Sequence, residues 1–338
     1  MKLFKNMTYI LAIIIFVILD IPMAVVNAED VGYSVRAIIP ENQVDKNQTY
    51  FDLLMKPKQK QVIQVEIYNK GNEDIDIDIH ITNPNTNRNG LIDYTNIETN
   101  VDESLKIPIT KVASIEKMTV RVPAKKSQIV PIQLEMPEAE FDGIILGGIY
   151  FEKHAGAEQA TKGQISNKFA YVIGLKLIET NIDVNPNLQL KSVKPGLVNY
   201  HTAIIANIQN SAPVIVDHLT LKANVFNSNG KEVNQVNVKD YKMAPNSNMD
   251  FAIDWKNKEL SPGKYTLKLY ADTGKQNWNW EKEFVIPAKD AKDLNKAAVD
   301  IKKDYTWYFI IGLSIIILIL IYIIYRLIRK NKQQDLKR

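Results

Sequence analysis

Ile75-Asp76-Ile77-Asp78-Ile79-His80-Ile81 alternates apolar and polar side chains without a break. Successive side chains of a β-strand point to opposite faces. The four isoleucines therefore line one face, and Asp76, Asp78 and His80 line the other. The same period of two occurs before it, at Ile63, Val65 and Ile67, and after it, at Val130, Ile132, Leu134 and Met136. Turn-forming residues separate the runs, as in Asn69-Lys70-Gly71-Asn72 and across Asn83 to Gly90. The pattern restarts after Asn185-Pro186-Asn187. Leu219, Leu221, Ala223 and Val225 form one apolar face, Asn227-Ser228-Asn229-Gly230 reads as a hairpin turn, and Met249, Phe251, Ile253 and Trp255 form another face. Short strands, frequent Asn and Gly turns and almost no helical period predict an all-β fold. The expected architecture is two tandem immunoglobulin-like antiparallel β-sandwiches, at 29–155 and 156–287.

The flanks of these sandwiches read differently. Lys2 and Lys5, the apolar run Tyr9 to Leu19 and the small residues of Val26-Asn27-Ala28 make 1–28 a signal peptide, with cleavage expected before Glu29. Ala288 to Asp304 is rich in helix formers and mixed charge. Residues 288–306 are expected to form a stalk, either a helix able to run on into the next segment or a flexible spacer. Trp307 to Tyr325 carries no charge, and aromatic residues stand at both its ends. At ~1.5 Å per residue it is long enough for a single C-terminal transmembrane helix. The basic tail 326–338 that follows places its C-terminal side in the cytoplasm, and so places the sandwiches outside. The composition, rich in Ile, Lys and Asn, points to the cell membrane of a Gram-positive bacterium.

The basic pI near 8.8 belongs to this tail. Of the total charge of +4, residues 1–28 hold +1 and 326–338 hold +5, which leaves −2 for everything between. A nucleic-acid partner is excluded on that ground. The chain has no cysteine, which excludes disulfides and a thiol nucleophile, so each sandwich must be held by its own core.

A search for chemistry returns little. No H-E-x-x-H, G-x-S-x-G, P-loop or G-x-G-x-x-G occurs, and neither a cofactor nor a metal is expected. Asp74, Asp76 and Asp78 with His80 resemble a ligand cluster, but same-face residues of a strand stand ~6.7 Å apart per step and do not converge on one ion. They read as an acidic solvent face. Trp278 and Trp280, at i and i+2, place two rings on one side of a strand. Exposed they make a platform for a sugar or a partner; buried they are core. In Phe141 to Phe151, Gly143, Gly147 and Gly148 interrupt an apolar run. This suits either a buried strand with close backbone approach or a contact edge for a partner strand.

Several motifs together resemble the WxL-interacting proteins of Gram-positive bacteria. They are Pro40-Glu41-Asn42-Gln43, Tyr50-Phe51-Asp52-Leu53, Pro57-Lys58-Gln59, Thr86-Asn87-Arg88-Asn89-Gly90 with Asp93-Tyr94, and Phe141-Asp142-Gly143 through Gly147-Gly148-Ile149-Tyr150-Phe151. The chain departs from the pattern at Lys58, where glycine is expected. The resemblance implies a peptidoglycan-binding first domain and a host-binding second domain. Its implied partners are WxL-domain surface proteins, peptidoglycan and a host extracellular protein, with the membrane reached through one helix. It supplies no catalytic residue, so the expected role is a non-enzymatic surface adaptor. A strand-donating chaperone-like module and a wall hydrolase are the alternatives. The contact residues expected are Asn87, Asn89, Asp142, Gly147 and Gly148 in the first domain, and Trp278 and Trp280 in the second.

Overall fold

The computed structural model describes residues 32–95, 97, 101–154, 169–299, 301 and 306–335. The expected signal peptide lies outside them. The strands are β1 (Tyr33–Ile38), β2 (Phe51–Leu54), β3 (Lys60–Asn69), β4 (Ile75–Thr82), β5 (Asn85–Thr86), β6 (Ile92–Asp93), β7 (Ala113–Ser114), β8 (Thr119–Val122), β9 (Ser127–Glu135), β10 (Ile145–Lys153), β11 (Ala170–Ile178), β12 (Leu188–Val198), β13 (His201–Asn210), β14 (Val216–Asn227), β15 (Glu232–Met243), β16 (Ser247–Asp254), β17 (Gly263–Asp272) and β18 (Asn277–Ile286). Two helices follow, α1 (Ala288–Ala297) and α2 (Thr306–Asp335).

In the first sandwich a sheet in the order β1-β3-β9-β7 faces one in the order β2-β11-β10-β4-β8. The alternation at Ile75 to Ile81 does what its period demands. Ile77 and Ile79 are fully buried, and they pack with Ile63, Val65, Ile67, Ile132, Phe151 and Leu175 in one core. The second sandwich sets β12-β13-β16 against β15-β14-β17-β18, around Ile204, Leu221, Val225, Phe251, Leu267 and Leu269. Two tandem β-sandwiches are therefore present.

Four details correct the expectation. The first sandwich does not end at 155. β11 pairs with β10 along its length and also with β2, so the boundary falls between Ile178 and Leu188. The β2–β11 pairing is parallel, so the sandwich is not purely antiparallel. The first part of the expected stalk, 288–299, is not free of the sandwich. The α1 helix lies on the second sandwich with Ala291 buried, and the Asn295 side chain accepts from the Leu260 N–H at 2.8 Å and donates to the Leu260 carbonyl at 3.0 Å. It also does not run on into the next helix, because its C-cap Ala298 takes extended angles (φ −73°, ψ 144°).

The α2 helix is 30 residues long and continues through the expected span into the basic residues. Among the described residues no helix is long and apolar enough to cross a membrane. The side chains of α2 from Ile310 to Ile323 carry no charge. All the large apolar ones among them are exposed.

Lys58, the departure from the family pattern, has φ +62°. That is the left-handed region a glycine occupies freely and an L-residue enters at some cost. The expectation of glycine there has a backbone cause, and the turn forms despite lysine.

Candidate functional site: the seam between the sandwiches

Three loops of the first sandwich reach the second. The β5–β6 hairpin is built by Asn87, whose side-chain oxygen accepts from the N–H groups of Asn89 and Leu91 at 3.0 and 3.2 Å. This turn carries Thr86 and Gly90 to the partner domain. The buried Thr86 hydroxyl lies 2.6 Å from Ser247 Oγ and accepts from the Ala244 N–H at 2.9 Å. The carbonyl of Gly90 accepts from the Lys242 N–H at 2.7 Å. Gly90 itself (φ +68°) packs against the Tyr241 side chain so closely that there is no room for a Cβ.

The second loop brings Asp102. Its carboxylate accepts from Gln209 Nε2 at 2.9 Å to each oxygen, from Asn248 Nδ2, and from both the N–H and hydroxyl of Ser104. Asn246 adds a bond from its amide to the Ser104 carbonyl at 3.0 Å. Burial works against the Asp102 charge. The hydrogen bonds from Ser104, Gln209 and Asn248 outweigh it and hold the carboxyl below the usual carboxylate range. The third loop contributes Gly143 (φ +95°), packed on Pro213, and the Ile144 N–H, which donates to the Pro213 carbonyl at 2.7 Å.

A lowered folded pKa stabilises the state that holds the charge. Asp102's contribution to docking is therefore complete above its ordinary value of 3.8 and is lost as pH falls through the lower folded value. Hydrogen exchange at 244–248 is expected to rise in that acid window. Asp102→Asn, which cannot titrate, is expected to remove this step. A step of unchanged size in the variant would exclude Asp102 as its source.

Beside the seam lies a cleft of about 660 Å³, with Leu105, Ile107, Phe141 and Pro213 on its apolar side and Glu103, Lys106, Asp142 and Lys191 at its rim. Glu103 and Lys191 form a loose, exposed ion pair at 3.7 Å, worth little in water. Asp142 is exposed and accepts from the Thr180 hydroxyl at 2.7 Å. The volume suits a small ligand, and the junction of two domains is a usual place for one.

The expected contact residues fall in three places. Asp142 and Asn89 remain on the surface, at the cleft and the seam hairpin, while the amide oxygen of Asn87 is occupied in shaping that hairpin. Gly147 and Gly148 are buried, and β10 is an interior strand, so the contact-edge reading is overturned for 145–151: β11 and β4 occupy both edges of that strand. Gly147 faces Ile109 of the core, and Gly148 lies under Tyr94 and Thr82. Trp278 and Trp280 are half-buried and pack on the core of the second sandwich, opposite Ala271 and Leu269, so they form no open platform. Among the described residues no group of acidic or histidine side chains is set to hold a metal.

Sequence reasoning missed Asp102, Gln209, Asn246, Ser247, Asn248 and Tyr241. Thr86, Gly90 and Gly143 stood inside quoted motifs but were not assigned to an interdomain contact. The signal at the two glycines is a positive φ with the other domain packed against them, which is invisible until the domains are docked.

A model described as the peptidoglycan binding domain of WxL Interacting Protein matches residues 33–153, and one described as its host binding domain matches 160–296. No curated protein matches the chain. Among solved structures, the YadV chaperone is similar at 12% identity over 75% of this chain and 100% of that one, with a TM-score of 0.29. The E. coli chaperone DraB is similar at 13% over 75% and 97%, with a TM-score of 0.28. These likenesses are too remote to carry an argument about function. The second match begins ahead of β11, although hydrogen bonding assigns β11 to the first sandwich.

Proposed function

The chain belongs to the family of WxL interacting proteins, and we propose that it is a non-enzymatic adaptor held at the bacterial membrane by α2. In this reading its first sandwich binds peptidoglycan, and the pair of sandwiches presents a surface to WxL-domain proteins and to a host ligand. The observation that carries the reading is the direction of the strands about the seam. In the second sandwich β13 and β14 share one end with the seam loops, while the chain leaves for α1 and α2 from the opposite end.

Each twelve-residue strand such as β14 spans ~40 Å. The second sandwich therefore acts as a spacer next to the anchor, and it carries the first outward into the wall. The docking bonds at Thr86, Gly90 and Asp102 fix the first sandwich on that spacer. The bare apolar surface of α2 supports the anchor, since such a surface needs a covering and lipid supplies one.

The test uses the full chain in detergent micelles at near-physiological salt. It is expected to co-sediment with purified peptidoglycan sacculi and to be retained by an immobilised WxL domain. Retention by neither would overturn the proposal.

A further inference from the structure

We propose that the end of the second sandwich opposite the seam rests on the outer surface of the bilayer, with Tyr200 as the side chain that enters its interfacial layer. This inference rests on the anchoring role proposed for α2. It adds a second membrane contact, made by the folded domain.

The β12–β13 hairpin turns through Asn199 (φ +51°) and Tyr200 (φ +64°). Both central residues of this two-residue turn are left-handed, as in a type I′ turn, where Asn suits the first position and Gly the second. A bulky aromatic in the second position is a backbone outlier. Tyr200 gains no core contact in return, because 70% of it is exposed. The hairpin is nonetheless firmly placed. The His201 ring lies 3.0 Å from Asn257 Oδ1, the Trp255 N–H donates to the Thr202 carbonyl at 2.9 Å, and the Thr202 hydroxyl donates to the Lys258 carbonyl at 2.8 Å. The ring thus projects from a hairpin that is held at its base.

The route of the chain brings that end to the membrane. The Tyr200 carbonyl accepts from the Val299 N–H at 2.9 Å, so the segment leaving α1 is tied to the tip itself. From Val299 to the start of α2 at Thr306, the chain stretches at most ~25 Å. Tyr200 is therefore leashed within that reach of the plane in which Trp307 and Tyr308 begin the apolar helix. Tyrosine favours that plane, its ring among acyl carbons and its hydroxyl among headgroups. Lys256 and Lys258 are exposed on the adjoining turn, but Asp254 and Glu259 flank them. The end has little net charge, so the contact should depend on the ring and tolerate both zwitterionic and anionic lipid.

The absence of cysteine makes the test direct. Full-length Tyr200→Cys, carrying an environment-sensitive fluorophore, is reconstituted in vesicles of phosphatidylcholine and phosphatidylglycerol containing brominated lipid. Lys275→Cys, at the seam end of the β17–β18 hairpin, is the control. We expect at least threefold stronger quenching at 200 than at 275, in both lipids. Equal quenching in protein that floats with the vesicles would overturn the seat alone. Protein that does not float would overturn the anchor and the seat together. Tyr200→Gly keeps the turn geometry and is expected to leave the Tm unchanged or higher. In the same variant, the quenching of a label at Lys258→Cys, exposed on the adjoining turn, should fall at least twofold. If that quenching does not change, Tyr200 is not the seat.

Discussion

Gly90→Ala is expected to undock the two sandwiches. A Cβ added at Gly90 would lie 2.1 Å from Cγ of Tyr241 and 2.6 Å from its Cβ, far inside contact distance. The ring cannot simply swing aside, because it is set edge-on against Phe251 with ring centroids 6.2 Å apart. The backbone at φ +68° adds the cost of a left-handed alanine. The overpacking costs up to about 3 kcal/mol, or roughly two orders of magnitude in the docking equilibrium, while the strain weakens the hairpin whether or not it is docked.

Hydrogen exchange in the full-length chain is expected to accelerate at 86–90 and at 241–248, while β4 and β14 stay protected. Gly230→Ala serves as the control. Gly230 also has a positive φ, +73°, but an added Cβ there meets nothing within 4 Å. It should show only the backbone cost, about 1 kcal/mol, and no seam exchange. Equal behaviour of the two variants would mean that the seam does not depend on the Gly90–Tyr241 contact.

Gly147→Val is expected to unfold the first sandwich at a lower temperature. The added Cβ would meet Ile109 Cγ1 at 2.4 Å, and Ile109 is fully buried beneath the strand. Overpacking of this kind costs up to about 3 kcal/mol, which in a domain of this size lowers the Tm by roughly 6–12 °C. Ile109→Ala alone leaves a cavity and costs about 2–5 kcal/mol. Combined, the two changes should partly cancel, because the valine methyls occupy the space the isoleucine vacates. Strictly additive losses would show that Gly147 and Ile109 are not the pair in contact. A surface role for Gly147 predicts instead a loss of binding with the Tm unchanged.

The period of two was enough to read the strands, because side-chain alternation is a local property. Ile77 and Ile79 are buried as their spacing requires, and the same holds for Ile63, Val65 and Ile67. The break from strand to helix at residue 288 was legible for the same reason. The site was less legible. Phe141 to Phe151 could be read as either an edge or an interior strand, and the difference depends on β11, which lies beyond an intervening segment of the chain. Trp278 and Trp280 share a strand face, but only the placing of β12 and β17 makes that face the inner one. Asp102 stands in no motif, and its importance comes from Gln209 and Asn248, more than a hundred positions away.

By itself, then, the sequence determined the two β-sandwiches, the apolar C-terminal helix, the lack of disulfides and the family resemblance. All of these follow from local spacing, composition or short motifs. Only the tertiary structure decided that β11 belongs to the first sandwich, that α1 is docked on the second, and that the Thr86 to Gly90 and Phe141 to Gly143 motifs meet the other domain. Each of those is a pairing between distant segments. Such pairings are selected by the shape and hydrogen-bonding groups of two surfaces at once, and neither surface is complete in any one stretch of chain.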